Sequence, residues 1–299
     1  MTEVQGVNAA AVTPRGKQGD VDFGATFELI DYLGAARVQG IALFTAAGEF
    51  PALAPDERSR LLYLAVKRSR VPVLAGVGSA TLDLSVALAR EARNAGASAL
   101  LLPPPHFFRY RQDEIREFYL QFVAQVGSGT GILLSHTPLY ASGLEVETAT
   151  GLLATGQFAG IEDASGDLEF FSGLQAAAGA LPVLVGSDAV FTRAREAGAA
   201  GVVSPIACAV PELLVALDRA ICAGDREKTG RLDGMLQEFA EWMDQFPQPV
   251  AVKAATALRG VKTGPAPVPL PPARQKKLDE FREWFQAWLP LVKRLDAHA

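Results

Sequence analysis

Two cysteines in 299 residues, Cys208 and Cys222, are too few for a disulfide framework or a thiolate metal cluster, and the chain is expected in a reduced cytoplasm. Nowhere do about 18 apolar residues follow one another, so no membrane-crossing helix is predicted. The opening Met-Thr-Glu-Val-Gln lacks the basic-then-apolar order of a secretion signal, and none is expected. Surplus positive charge is missing as well. The 28 Lys and Arg face 33 Asp and Glu, a formal net charge of −5 with the signs mixed along the chain. That excludes the basic footprint of a nucleic-acid binder. Finally, no glycine fingerprint of a dinucleotide site follows any strand, which disfavours an open doubly wound sheet, the alternative α/β arrangement.

What the chain does have is hydrophobic residues, 49% of the total, enough for one large core. They come in eight short blocks of Val, Ile, Leu and Ala, at 7–12, 40–44, 71–75, 99–102, 131–134, 158–161, 183–185 and 201–203. The blocks are continuous rather than alternating, as parallel strands covered on both faces should be. Helical signals fill the gaps between them. Pro55 with Asp56 and Glu57 opens one helix, Thr81 another and Arg111 a third, and Gly96 sits where a left-handed cap closes the second. Eight βα units predict a closed (β/α)8 TIM barrel over residues 1–223. Beyond it the pattern is purely helical, near 225–245, 249–259 and 274–295, with a proline-rich strap at 265–272. Residues 224–299 are therefore read as a C-terminal helical extension of the same domain. The helically spaced Trp284, Phe285 and Trp288 belong to its core or to a subunit interface.

In such barrels the working groups stand at the C-terminal ends of the strands. Read in order, those ends are Val12-Thr13-Pro14, Thr45-Ala46-Ala47-Gly48-Glu49, Ala75-Gly76-Val77-Gly78, Gly160-Ile161-Glu162-Asp163-Ala164-Ser165-Gly166-Asp167, Val185-Gly186-Ser187-Asp188 and Gly201-Val202-Val203-Ser204, with Pro249 to Lys253 further on. This series resembles the dihydrodipicolinate synthase / N-acetylneuraminate lyase family over nearly the whole chain. The resemblance implies a lyase or aldolase acting on pyruvate or another small 2-keto or sugar acid, a homo-oligomer (dimer or tetramer), and no separate cofactor. It implies an imine-forming lysine on the sixth strand, a proton-relaying tyrosine on the fifth, and a strand-two loop that holds the substrate carboxylate.

At those positions the chain departs from the pattern. Glu162 stands for the lysine, Ser135 for the tyrosine, Ala46 and Ala47 for the loop threonines, Phe107 for a second tyrosine, and Tyr140 for an arginine after strand five. A carboxylate cannot form an imine. None of the lysines lies at the C-terminal end of strands two to eight, and Lys17 sits in a polar loop after strand one. Imine-based activity is therefore predicted absent. Three readings of Glu162, with Ser135 beside it, stay open. It is a general acid or base, it joins His136, Asp163 or Asp188 around a divalent cation, or it fills space in a catalytically silent binding or regulatory relative. No resident metal is assigned. The expected ligand is a small carboxylate, touching Thr45, the backbone amides of Ala46, Ala47 and Gly48, Phe107, His136, Tyr140, Gly186 and Val203. Strand alternation would turn His136 toward the helices if Ser135 faces inward. His106 is read as packing or interface, Glu49 as a partner for loop amides, Asp167 or Ser165 as a helix cap, Asp188 as a helix start, and Lys253 as an ion-pair partner.

Overall fold

The structure is a computed structural model that describes residues 4–127, 129–266 and 268–296. The opening residues 1–3 and Pro267 of the proline-rich strap lie outside the described residues. Eight strands alternate with helices: β1 (Gly6–Ala10), α1 (Phe23–Ala35), β2 (Gly40–Leu43), α2 (Pro55–Arg68), β3 (Val73–Gly76), α3 (Leu82–Ala95), β4 (Ala99–Leu102) and α4 (Gln112–Val126) make the first half. The second half is β5 (Gly131–His136), α5 (Val146–Leu153), β6 (Gly160–Asp163), α6 (Leu168–Ala177), β7 (Val183–Val185), α7 (Phe191–Glu196), β8 (Gly201–Ser204) and α8 (Pro211–Cys222). Each strand pairs in parallel with the next, and β8 returns to β1, so the sheet closes into a barrel.

Every strand residue is buried, as continuous apolar blocks require. Alternation divides them between two layers. Ala10, Ala42, Leu74, Leu101, Leu133, Leu184 and Val203 meet inside the barrel. Val7, Ile41, Leu43, Leu100 and Leu102 face outward and join the helices in a much larger cluster. The helix ends follow local chemistry. Thr81 Oγ1 accepts the Leu84 N–H of α3 (3.4 Å), Gly96 closes that helix at φ 93°, and Asp167 Oδ1 accepts the Glu169 and Phe170 amides of α6 (2.8 and 3.3 Å).

Three further helices, α9 (Arg226–Met243), α10 (Val250–Leu258) and α11 (Pro272–Asp296), follow the barrel. Both α9 and α11 pack on α8. Phe239 of α9 meets the rings of Phe281, Phe285 and Trp288 of α11 at 5.9, 5.7 and 5.9 Å, so this aromatic row is core. Two strands run two residues further than their apolar blocks predict. β5 continues through Ser135 and His136, and β6 through Glu162 and Asp163, because Ser135 pairs in register with Glu162 and His136 with Asp163. Backbone pairing persists there although the side chains have become polar.

Candidate active site

That register sets Ser135 and Glu162 side by side on the inner wall. Ser135 Oγ donates to Glu162 Oε2. On the next strand end, a Cβ on Gly186 would stand 2.5 Å from Glu162 Oε1, so only glycine leaves room for this carboxyl. Glu162 and Ser135 line a cavity of about 100 Å³ at the C-terminal mouth of the barrel, with Thr45, Ala46, Ala47, Tyr140, Gly186 and Val203 around it. Burial raises the Glu162 carboxyl to about 7. The Ser135 hydrogen bond opposes that rise and the neighbouring Asp163 charge adds to it. This acid therefore changes charge close to neutral pH.

Asp163 and His136 point the other way, as strand alternation dictates. Asp163 Oδ1 accepts the Ser165 N–H (2.9 Å). His136 Nδ1 accepts the Leu144 N–H (2.9 Å), its ring stacks on Phe170 of α6 at 4.2 Å, and burial lowers its pKa to about 4. The expectation that His136 touches a ligand is corrected on this ground: it is outside the cavity, within the helix layer. Asp188 begins a short helical turn, as expected, and reaches across to Ser204 Oγ (2.5 Å) and the Ile206 N–H (3.3 Å). Its burial holds the carboxyl up at about 6. Glu162, His136, Asp163 and Asp188 thus do not converge. Among the described residues no group of three His, Cys, Asp or Glu is placed to hold a metal ion.

The loop after β2 also differs in part from expectation. Gly48 is not on the cavity wall, for its N–H is bonded to the Thr45 carbonyl (3.0 Å) and its own carbonyl to Thr13 Oγ1 (2.7 Å). Among the described residues the amides of Ala46 and Ala47 find no acceptor, and the buried Thr45 Oγ1 no partner. Glu49 binds side chains rather than loop amides: Lys253 Nζ stands at 2.7 Å and Arg15 Nε at 3.5 Å. Lys253 is therefore an ion-pair partner, away from the cavity, and Lys17 is exposed.

At the rim, the expectation for Phe107 is corrected as well. It holds φ 86° and is 84% exposed, and its ring turns away from the cavity. Its neighbour His106 lines the wall instead, edge-on to Phe50 at 5.4 Å. Burial, and then the Arg58 charge, hold the His106 imidazolium below its usual range. Arg58 itself donates to the carbonyls of Gly76 (2.7 Å) and Gly78 (3.1 Å) beneath the rings of Phe44 and Phe50. Thr137 and Gln248 complete the polar lining and escaped the sequence reading. His106 and Thr137 lie just past strand ends, where a search of those loops would have found them. Gln248 follows α9, and nothing local marks it.

With this geometry in hand, comparisons with known proteins are informative. A lyase from Halobacterium salinarum described as DapA-like is 31% identical over 270 residues, covering 89% of this chain and 88% of its own. The 4-hydroxy-tetrahydrodipicolinate synthase of Marinobacter nauticus is 29% identical over 287 residues, covering 95% and 98%. The solved 4-hydroxy-tetrahydrodipicolinate synthase of Methylacidiphilum fumariolicum SolV superposes with a TM-score of 0.90 at 27% identity, covering 98% and 99%. The model of the dihydrodipicolinate synthetase family matches residues 3–288, and this chain belongs to that family.

Proposed function

We propose that this family member works without an imine and uses Glu162, steadied by Ser135, to move a proton on a small carbonyl compound seated in the barrel mouth. In the step envisaged, the Glu162 carboxylate takes a proton from the carbon beside the carbonyl. The carbonyl oxygen gathers the charge and accepts from the Ala46 and Ala47 amides, and transfer of the proton from the Glu162 carboxyl to that oxygen completes an enolisation. The observation that carries this reading is the Glu162 carboxyl itself, lifted to about 7 on a cavity wall. An acid poised near ambient pH is what general acid–base work needs. Among the described residues no lysine lines the cavity, which supports the absence of imine chemistry. The family's small 2-keto acids supply the carbonyl class, and a homo-oligomer remains part of the proposal.

Two measurements test it. Borohydride reduction with pyruvate should leave the protein mass unchanged, and a stable adduct would overturn the non-imine reading. Deuterium exchange from solvent into small ketones should be catalysed, and Glu162→Gln should slow it by about 10²–10⁴-fold. Exchange undiminished in that variant would remove Glu162 from the chemistry. If the native protein binds ketones without exchanging them, the silent binding reading takes over.

A further inference from the structure

We infer that the ligand of this cavity is an uncharged carbonyl compound, an amide, ester, aldehyde or ketone, rather than a free carboxylate. The inference rests on the proton-transfer reading for the carbonyl group but concerns binding alone.

Charge is the first reason. Among the described residues no Lys or Arg lines the cavity, while Glu162 does. The buried cations nearby are engaged elsewhere. The Arg58 guanidinium is bonded to the Gly76 and Gly78 carbonyls, and Lys253 is neutralised by Glu49 at 2.7 Å. Burial, and then the Arg58 charge, disfavour the charged form of the His106 ring. A carboxylate entering this space loses its water, finds no counter-charge and faces a second carboxyl on the wall. Two carboxylates side by side, one of them buried, cannot both stay ionised at ordinary cost.

Hydrogen bonding is the second reason. Among the described residues, the cavity groups left without protein partners include the Ala46 and Ala47 amides, the Thr45 hydroxyl and His106 Nδ1. The amides and the hydroxyl are neutral donors, and a protonated Glu162 adds another. A single carbonyl oxygen satisfies such donors without bringing a charge to be desolvated. The third reason is the wall. Ala46, Ala47, Leu101, Val203 and Pro205 present apolar surface where a charged group would gain nothing. The cavity's size, about 100 Å³, fits a small ligand. A water takes roughly 10–15 Å³ by the same measure, which leaves room for roughly seven to ten heavy atoms.

The experiment compares acids with their isosteric amides: pyruvate with pyruvamide, 2-oxobutyrate with 2-oxobutyramide, lactate with lactamide. Each is titrated calorimetrically into the full chain at about pH 6 and about pH 8, one unit either side of the Glu162 carboxyl. At the higher pH the amide of a pair should bind at least about tenfold tighter than its acid, the gap should narrow at the lower pH, and Glu162→Gln should narrow it at the higher one. An acid that binds as tightly as its amide at about pH 8 overturns the inference. So does a failure of every amide to bind at about 10 mM, a range in which weak small ligands register. The two readings fail separately. An amide that binds without exchanging deuterium counts against proton transfer alone, and exchange accompanied by stronger binding of the acid counts against neutrality alone.

Discussion

Glu162 concentrates the unusual physics of this protein in one carboxyl. Its pKa is about 7 in the fold against 4.5 in an exposed chain. Between those values the folded state holds a proton that the unfolded state has lost. Stability from this group is therefore complete below about 4.5, falls as pH rises through the window, and has been lost above about 7. The whole effect is on the order of 3 kcal/mol. Glu162→Gln keeps an acceptor for Ser135 and has no proton to lose. Urea denaturation at about pH 5 and about pH 8 should show the native chain losing more stability across that interval than the variant. Equal losses in the two proteins would mean that burial does not raise this carboxyl. Asp188, held up at about 6 by its own burial, is common to both and cancels in the difference.

At the scale of elements, the loop after β2 is pinned from outside. Glu49 sits in the left-handed region at φ 56° and is clamped by Lys253 of α10, so a helix beyond the barrel fixes the loop that carries Thr45, Ala46 and Ala47. Lys253→Met should cost on the order of 3 kcal/mol, because it leaves Glu49 buried with only Arg15 at 3.5 Å. Adding Glu49→Gln should recover part of the loss, a coupling that denaturation of the four proteins in a double-mutant cycle measures. Simple additivity would show that the pair is not coupled. Elements of this kind were unevenly legible in the sequence. Thr81, Gly96 and Asp167 announced their helix ends because capping is local chemistry. The ends of β5 and β6 were not announced. Ser135, His136, Glu162 and Asp163 break the apolar blocks, and only pairing between the strands keeps them extended.

For the whole molecule, apolar surface gathers beside the barrel mouth. Phe107, Phe108, Leu139 and Tyr140 are exposed on two loops joined by the His106–Ala141 bridge. Such a patch supports the proposed homo-oligomer. Sedimentation should find a dimer or larger assembly, and Phe107→Asp with Phe108→Asp should shift it toward monomer. A native chain that sediments as a monomer at all concentrations would remove that part of the proposal. Phe239 and its aromatic neighbours tie α9 to α11, and both helices pack on α8.

Eight apolar blocks at regular spacing determined the barrel from the sequence alone, because burial on both faces and helical periodicity are written in consecutive residues. Glu162 and Ser135 drew attention through the family resemblance, which places the lysine and the tyrosine of the pattern at these positions. Which polar groups share their cavity was settled only by the closed sheet. Closure brings His106, Thr137 and Gln248, from three separate connections, to one wall and leaves Gly48 and Phe107 off it. Which loops share a wall and which partner each buried charge finds depend on packing between distant segments, and no local pattern encodes either.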